Sequence, residues 1–152
     1  MEDISLHLLD IAENAVRAGA MTITIEILED KSKDLLSVCI KDDGSGMDEE
    51  MVKNAVDPFF TTKEGRKTGL GLPLLSLAAQ QTGGNLNIES QKGSGTTITA
   101  IFKPSHPDMK PMGNITETLT TLIVGNPSIR LIFDYKVDGD DFHFDSKEQN
   151  NE

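Results

Sequence analysis

The chain has 152 residues, a formal net charge of −11 and one cysteine. That length suits one domain whose core folds without staples, and Cys39, flanked by Val38 and Ile40, reads as a small buried hydrophobe in a reducing compartment. The acidity opposes a nucleic-acid partner, no apolar run approaches the ~18 residues of a membrane span, and Met1-Glu-Asp is not the basic start of a signal peptide; a cytoplasmic protein without nucleic-acid or membrane contacts is expected.

The first predicted element is an amphipathic helix that Asp3 or Ser5 can cap and Gly19 can end in the left-handed conformation. At about 100° per residue, Ile4, Leu8, Ile11, Ala12, Ala15 and Val16 fall on one side and His7, Asp10, Glu13, Asn14 and Arg17 on the other. A merely solvated face would carry Lys and Glu at (i, i+4). Here Asp10, Asn14 and Arg17 converge within about a turn and a half, supplying a water acceptor, a hard-cation ligand and a cation, the needs of a phosphate–metal site.

Met21 to Ile27 alternates with period two, a charged loop covers Glu29 to Asp34, and Leu35 to Ile40 is β-rich, so a hairpin is predicted. After the Gly44 and Gly46 loop, a short helix runs from Asp48 through Val56 and ends before Pro58. Residues 61–68 contain no apolar side chain and are expected to be a mobile loop; its Lys63, Arg66 and Lys67 make a positive site inside an acidic molecule. Leu70 to Thr82 reads as a helix with Pro73 in its first turn and Gly83-Gly84 at its end. Strands at Asn85 to Gln91 and Thr96 to Lys103 follow, joined by a glycine turn.

The pattern predicts an α+β two-layer sandwich, with a mixed, mostly antiparallel sheet and helices on one face, over residues 1–103. Beyond a proline-spaced connector, Asn114 and Glu117 form a capping-box-like start to a helix carrying Ile115, Leu119, Leu122 and Ile123. Ile129 to Val137 then alternates into an Asp138-Gly139 turn and a returning Phe142-His-Phe144. This helix and hairpin, residues 104–145, are too small to fold alone and are expected to dock on the main sheet and extend it; the polar residues 146–152 are expected to be disordered.

Leu8 to Ala20, Lys41-Asp-Asp-Gly-Ser-Gly-Met47, Asp57-Pro-Phe-Phe-Thr-Thr-Lys63 and Thr68-Gly-Leu-Gly-Leu72 stand in an order that resembles the N, G1, F and G2 boxes of the gyrase, chaperone, histidine kinase and MutL superfamily of ATP-binding domains. Gly93-Ser-Gly-Thr-Thr97 resembles the last, smaller box. The resemblance implies the Bergerat-type ATP-binding fold and the cofactors ATP and Mg²⁺, with Asn14 as metal ligand and Arg17 near the terminal phosphate. It further implies that Asp42 accepts from the adenine amino group, with Gly44, Gly46 and Met47 around the base, while Lys63, Thr68, Gly69, Leu70, Gly71 and Leu72 line the phosphate side. Thr97 is expected behind the adenine pocket.

The glycines serve physical ends: Gly44 and Gly46 let backbone pass close to a base, and Gly69 and Gly71 open a helix whose N–H groups and dipole favour anions. Lys67-Thr68 replaces the leading glycine usual in the G2 box. In hydrolytic relatives a Glu four residues before the Asn is the general base; Asp10 holds that place, one methylene shorter, with Glu13 about 60° round the helix in reserve. His7 is not taken as a phosphoacceptor, because it lies on the nucleotide-side helix and the sequence leaves no room ahead of it for the separate helical domain that presents the acceptor in kinases. His106, in the proline connector, and His143, in a short strand, have no neighbours along the sequence that suggest a chemical role. Three readings remain: transfer of the terminal phosphate to Ser, Thr or His of a protein partner, as anti-sigma-type and split kinases do; slow hydrolysis driven by Asp10; and an ATP sensor that docks through its C-terminal hairpin.

Overall fold

The computed structural model describes residues 3–57 and 71–147. They form one six-stranded sheet with four helices. α1 spans Ile4–Arg17, β1 Thr22–Asp30, β2 Leu35–Asp42, α2 Glu49–Ala55, α3 Gly71–Gln81, β3 Asn85–Gln91, β4 Gly95–Phe102, α4 Ile115–Gly125, β5 Arg130–Val137 and β6 Asp140–Asp145. The sheet order is β3-β4-β2-β1-β5-β6. Every pairing is antiparallel except β1 with β5, where Ile25 lies beside Phe133.

Period-two alternation sets the two faces. Ile23, Ile25 and Ile27 of β1, Val38 and Ile40 of β2, Ile98, Ala100 and Phe102 of β4, and Leu131 and Phe133 of β5 are all buried. They pack against Ile4, Leu8 and Ile11 of α1, Leu75 and Ala79 of α3, and Leu122 of α4. The architecture is the expected α+β sandwich, with helices gathered on one side of a mostly antiparallel sheet.

Asp3 caps α1, its side chain accepting from the Leu6 amide at 3.0 Å. Ser5 lies inside the helix instead, donating through Oγ to the Met112 carbonyl at 2.6 Å. The first amides of α1 have no partner within the helix; those of Ile4 and Ser5 donate to the carbonyls of Pro111 and Met112 at 3.0 and 2.8 Å. The connector therefore closes the N-terminal end of α1. Gly19, at φ +91°, follows the last turn as expected. Asn114 caps α4, accepting from the Glu117 amide at 3.0 Å, and the Asp138-Gly139 turn has both residues at positive φ, 48° and 97°, as a two-residue type I′ hairpin demands.

Several boundaries differ from the sequence reading, β2 among them, which runs on through Lys41 to Asp42. Glu29 and Asp30 belong to β1, and the reversal into β2 is a single 3₁₀ turn over Lys31–Lys33 closed by Asp34 at φ 52°. Residues 146 and 147, read as the start of a disordered tail, are anchored: Ser146 accepts from the Leu131 amide through Oγ at 2.8 Å and returns its own amide to the Leu131 carbonyl. The expected loop at 61–68 and the rest of the tail lie outside the described residues. No described helix is long and apolar enough to cross a membrane.

Candidate functional site

The glycine loop after β2 is sewn into its surroundings by side chains on both sides. Asp43 Oδ1 accepts from the amides of Met21 at 2.8 Å and Thr22 at 3.0 Å, which ties the loop to the start of β1; the Thr22 bond foremost, with that of Met21, holds the Asp43 carboxyl below its ordinary value. Ser45 donates its amide to the Ala18 carbonyl and accepts from Gly93. The Met47 amide donates to Ser90 Oγ at 2.8 Å. At Gly46, φ +72°, a Cβ would stand 2.0 Å from the Gln91 carbonyl oxygen, so the loop and the β3–β4 turn approach each other at a distance that only glycine permits.

This loop, α1, α2 and the start of α3 enclose a cavity of about 440 Å³, a volume suited to a small-molecule ligand. Its walls are largely apolar, with Ile11, Ala15, Met47, Met51, Leu72 and Ile98 among them. Asn14 and Asp42 bring polar groups to it. Asp42 is half-buried; burial pushes its carboxyl above the ordinary value, the Gly44 amide opposes that shift through a 2.8 Å bond to Oδ1, and neighbouring Asp43 adds to it. A largely apolar cavity holding one carboxylate with a second oxygen not claimed by Gly44 suits a ligand that offers an apolar body and an amino donor.

On α1, Asn14 is half-buried at the cavity wall, and its Oδ1 accepts from Nη2 of Arg17, which is exposed. That oxygen is the atom a divalent ion would take, so ion binding there exchanges one cation for another. Among the described residues no group of three or more His, Cys, Asp or Glu could hold a metal; Asn14 with phosphate oxygens is the donor set that suits Mg²⁺, which binds through few protein ligands and substrate phosphates.

Not every expected residue meets the cavity. Thr97 lies on the sheet face opposite the helices, and Thr96 lines the cavity instead. The reason is parity: Thr96 shares its face with buried Ile98, Ala100 and Phe102, and a shift of one residue reverses the face. Ser90 Oγ donates to the Gly95 carbonyl at 3.0 Å, which leaves the Thr96 hydroxyl as donor in their 2.8 Å contact. His7, placed by periodicity on the polar half of α1, is 5% exposed. Asp10 accepts from the Gly71 amide at 3.0 Å through Oδ2, and the start of α3 lies against Asp10 and the His7 carbonyl. Leu72 lines the cavity and Gly71 lies against Asp10 outside its lining, while Lys63, Thr68, Gly69 and Leu70 lie outside the described residues. Asp43, Ser90 and Thr96 were not singled out from sequence, although the alternation of β4 was sufficient to find Thr96.

Residues 2–106 match the family described as histidine kinase-, DNA gyrase B-, and HSP90-like ATPase. Over 94 residues the chain is 32% identical to sporulation kinase C of Bacillus subtilis, covering 62% of this chain and 22% of that protein. It is 36% identical over 94 residues to sporulation kinase E of the same organism, covering 59% and 12%, and 33% identical over 108 residues to the histidine protein kinase SaeS of Staphylococcus epidermidis, covering 68% and 30%. The chain thus spans less than a third of the length of each of these relatives.

Proposed function

The chain belongs to the histidine kinase-, DNA gyrase B-, and HSP90-like ATPase family, and from that premise we propose that its cavity binds Mg·ATP and that the terminal phosphate passes to a partner protein. The observation that carries the reading is the meeting of Asp42 and Asn14 in one apolar cavity under a glycine loop. Asp42 orients the base through its amino group. Asn14 holds the ion through the oxygen that Arg17 otherwise engages, and the released guanidinium is then free to face phosphate charge. Lys63, Thr68, Gly69 and Leu70 are assigned to the phosphate side from the sequence. ATP supplies the activated phosphoryl group; the protein supplies position and charge.

Transfer is favoured over hydrolysis by the company the chain keeps and not by Asp10, one of whose carboxylate oxygens takes the Gly71 amide while the other is left to act as an acceptor or as a base. The relatives named above are kinases. The acceptor is a Ser, Thr or His of the partner, and the exposed outer strand β6, with Phe142 57% exposed, offers an edge against which a partner strand can pair.

Incubation with ATP labelled at its terminal phosphate, in an extract of the source cells, tests this reading. Label appearing on another protein, dependent on added chain and lost with Asn14→Ala, supports it. Label released only as inorganic phosphate places the protein with the hydrolases, and neither product leaves an ATP sensor.

A further inference from the structure

α1 and α3 meet more closely than two helices ordinarily do. A Cβ at Gly71 would lie 2.7 Å from Asp10 Cβ and 3.0 Å from the His7 carbonyl oxygen, so no other residue fits there without displacing one helix. At this contact the Gly71 amide, a first-turn donor with no acceptor inside its own helix, donates across to Asp10 Oδ2 at 3.0 Å. The two residues that follow, Leu72 and Pro73, line the cavity. Asn14, one turn further along α1 from Asp10, lines it too. A single carboxylate therefore ties one wall of the cavity to the helical turn that bears the candidate ion ligand.

We propose that Asp10 is a positioning residue: acting through Gly71, it holds the start of α3 at the place where Leu72 and Pro73 close the cavity beside Asn14. It needs no proton transfer for this, only an acceptor oxygen at the end of a two-bond side chain. Asn supplies the same oxygen at the same reach, whereas Ala supplies none. A general base behaves the other way, since Asn cannot take a proton and is as dead as Ala. The inference rests on the reading of the cavity as the Mg·ATP site, and the two can fail separately.

Asp10→Asn and Asp10→Ala are compared with the parent by amide exchange at Gly71 and Leu72, by calorimetry with a non-hydrolysable Mg·ATP analogue, and by ATP consumption. The expected result is that Asp10→Asn keeps Gly71 protected and keeps affinity and turnover near parental values, whereas Asp10→Ala loses the protection and binds the analogue roughly tenfold more weakly, the scale of one hydrogen bond to a charged group. Loss of turnover by two or more orders of magnitude in both variants, with affinity and Gly71 protection intact, would overturn the proposal and make Asp10 a base. Unchanged Gly71 exchange in Asp10→Ala would overturn it as well. If Asp10→Ala does not fold, Asp10→Asn alone decides: parental turnover supports positioning and lost turnover refutes it. Should the parent bind no Mg·ATP while exchange at Gly71 still separates Asn from Ala, the positioning role stands and the ATP assignment falls.

Discussion

Replacing Asp42 by Asn isolates base recognition from folding, because the two variants differ in one atom. In the parent, Oδ1 takes the Gly44 amide at 2.8 Å, which leaves one oxygen for the ligand. The Asn side chain satisfies Gly44 only with its single oxygen and so turns its NH₂ group toward the ligand, where an adenine amino group is also a donor. The variant loses a charge-assisted bond worth about 1.5–3 kcal/mol, a factor of roughly 10 to 150 in affinity, and gains a donor–donor conflict. ATP affinity measured by calorimetry is expected to fall toward the upper end of that range. Affinity for ITP, which offers a carbonyl where ATP offers the amine, is expected to hold or rise. Folding moves the opposite way. Burial raises the Asp42 carboxyl above its ordinary 3.8, so the folded chain holds this proton more tightly than the unfolded one, and stability declines as pH rises through that window. The Asn variant carries no such charge, and its urea midpoint at pH 7 is expected to exceed the parent's, with the gain shrinking as pH approaches 3.8. An unchanged ATP affinity together with an unchanged ATP/ITP ratio would refute the reasoning and place the base elsewhere.

Asn14→Ala is expected to abolish Mg·ATP binding in calorimetry while the helical circular dichroism is kept, because a triphosphate without its ion is costly to bury. Gly46→Ala must place a residue at φ +72° with its Cβ 2.0 Å from the Gln91 oxygen; a loss of about 2 kcal/mol or more is expected, read as a Tm lowered by about 4–8 °C. Thr96→Val removes the donor to Ser90 Oγ, which accepts from the Met47 amide, and is expected to weaken nucleotide binding several-fold, whereas Thr97→Val, on the far face of the sheet, is expected to leave titrations unchanged. Ser146→Ala leaves the Leu131 amide without its acceptor and is expected to lower stability by about 1 kcal/mol in urea unfolding.

Much of the fold was legible because its signals are local. Ile23, Ile25 and Ile27 alternate on one strand, Asp138-Gly139 names its own turn type, and the apolar stripe of α1 from Ile4 to Ala15 is the buried one. The parallel pairing of β1 with β5 sets Thr22 beside Arg130, across a separation that no pattern within either strand encodes. Ser146 is polar and terminal in sequence, yet its bond to Leu131 comes from the register of β5 with β6, which continues the ladder past the last alternating residue. The Thr97 assignment failed for want of parity alone: both residues of the Thr-Thr pair have β propensity, and only the identity of Ile98 as a core residue says which of them faces the helices.

Periodicity also explains why the polar side of α1 was recognised while its division of labour was not. A helical wheel states that His7, Asp10, Asn14 and Arg17 share a side; it does not state how far a second helix covers it. α3 meets the N-terminal half, engaging Asp10 through Gly71 beside the buried His7, while the C-terminal half opens onto the cavity through Asn14 and reaches solvent at Arg17. One stripe is thereby split into a packed part and a part that faces the cavity and solvent. The divide is set by a glycine more than fifty residues away in sequence, whose missing Cβ permits the contact. The spacing of Asp10 from Asn14 is common to a base with its ion ligand and to a tether beside one, and the contrast between Asp10→Asn and Asp10→Ala is what separates the two.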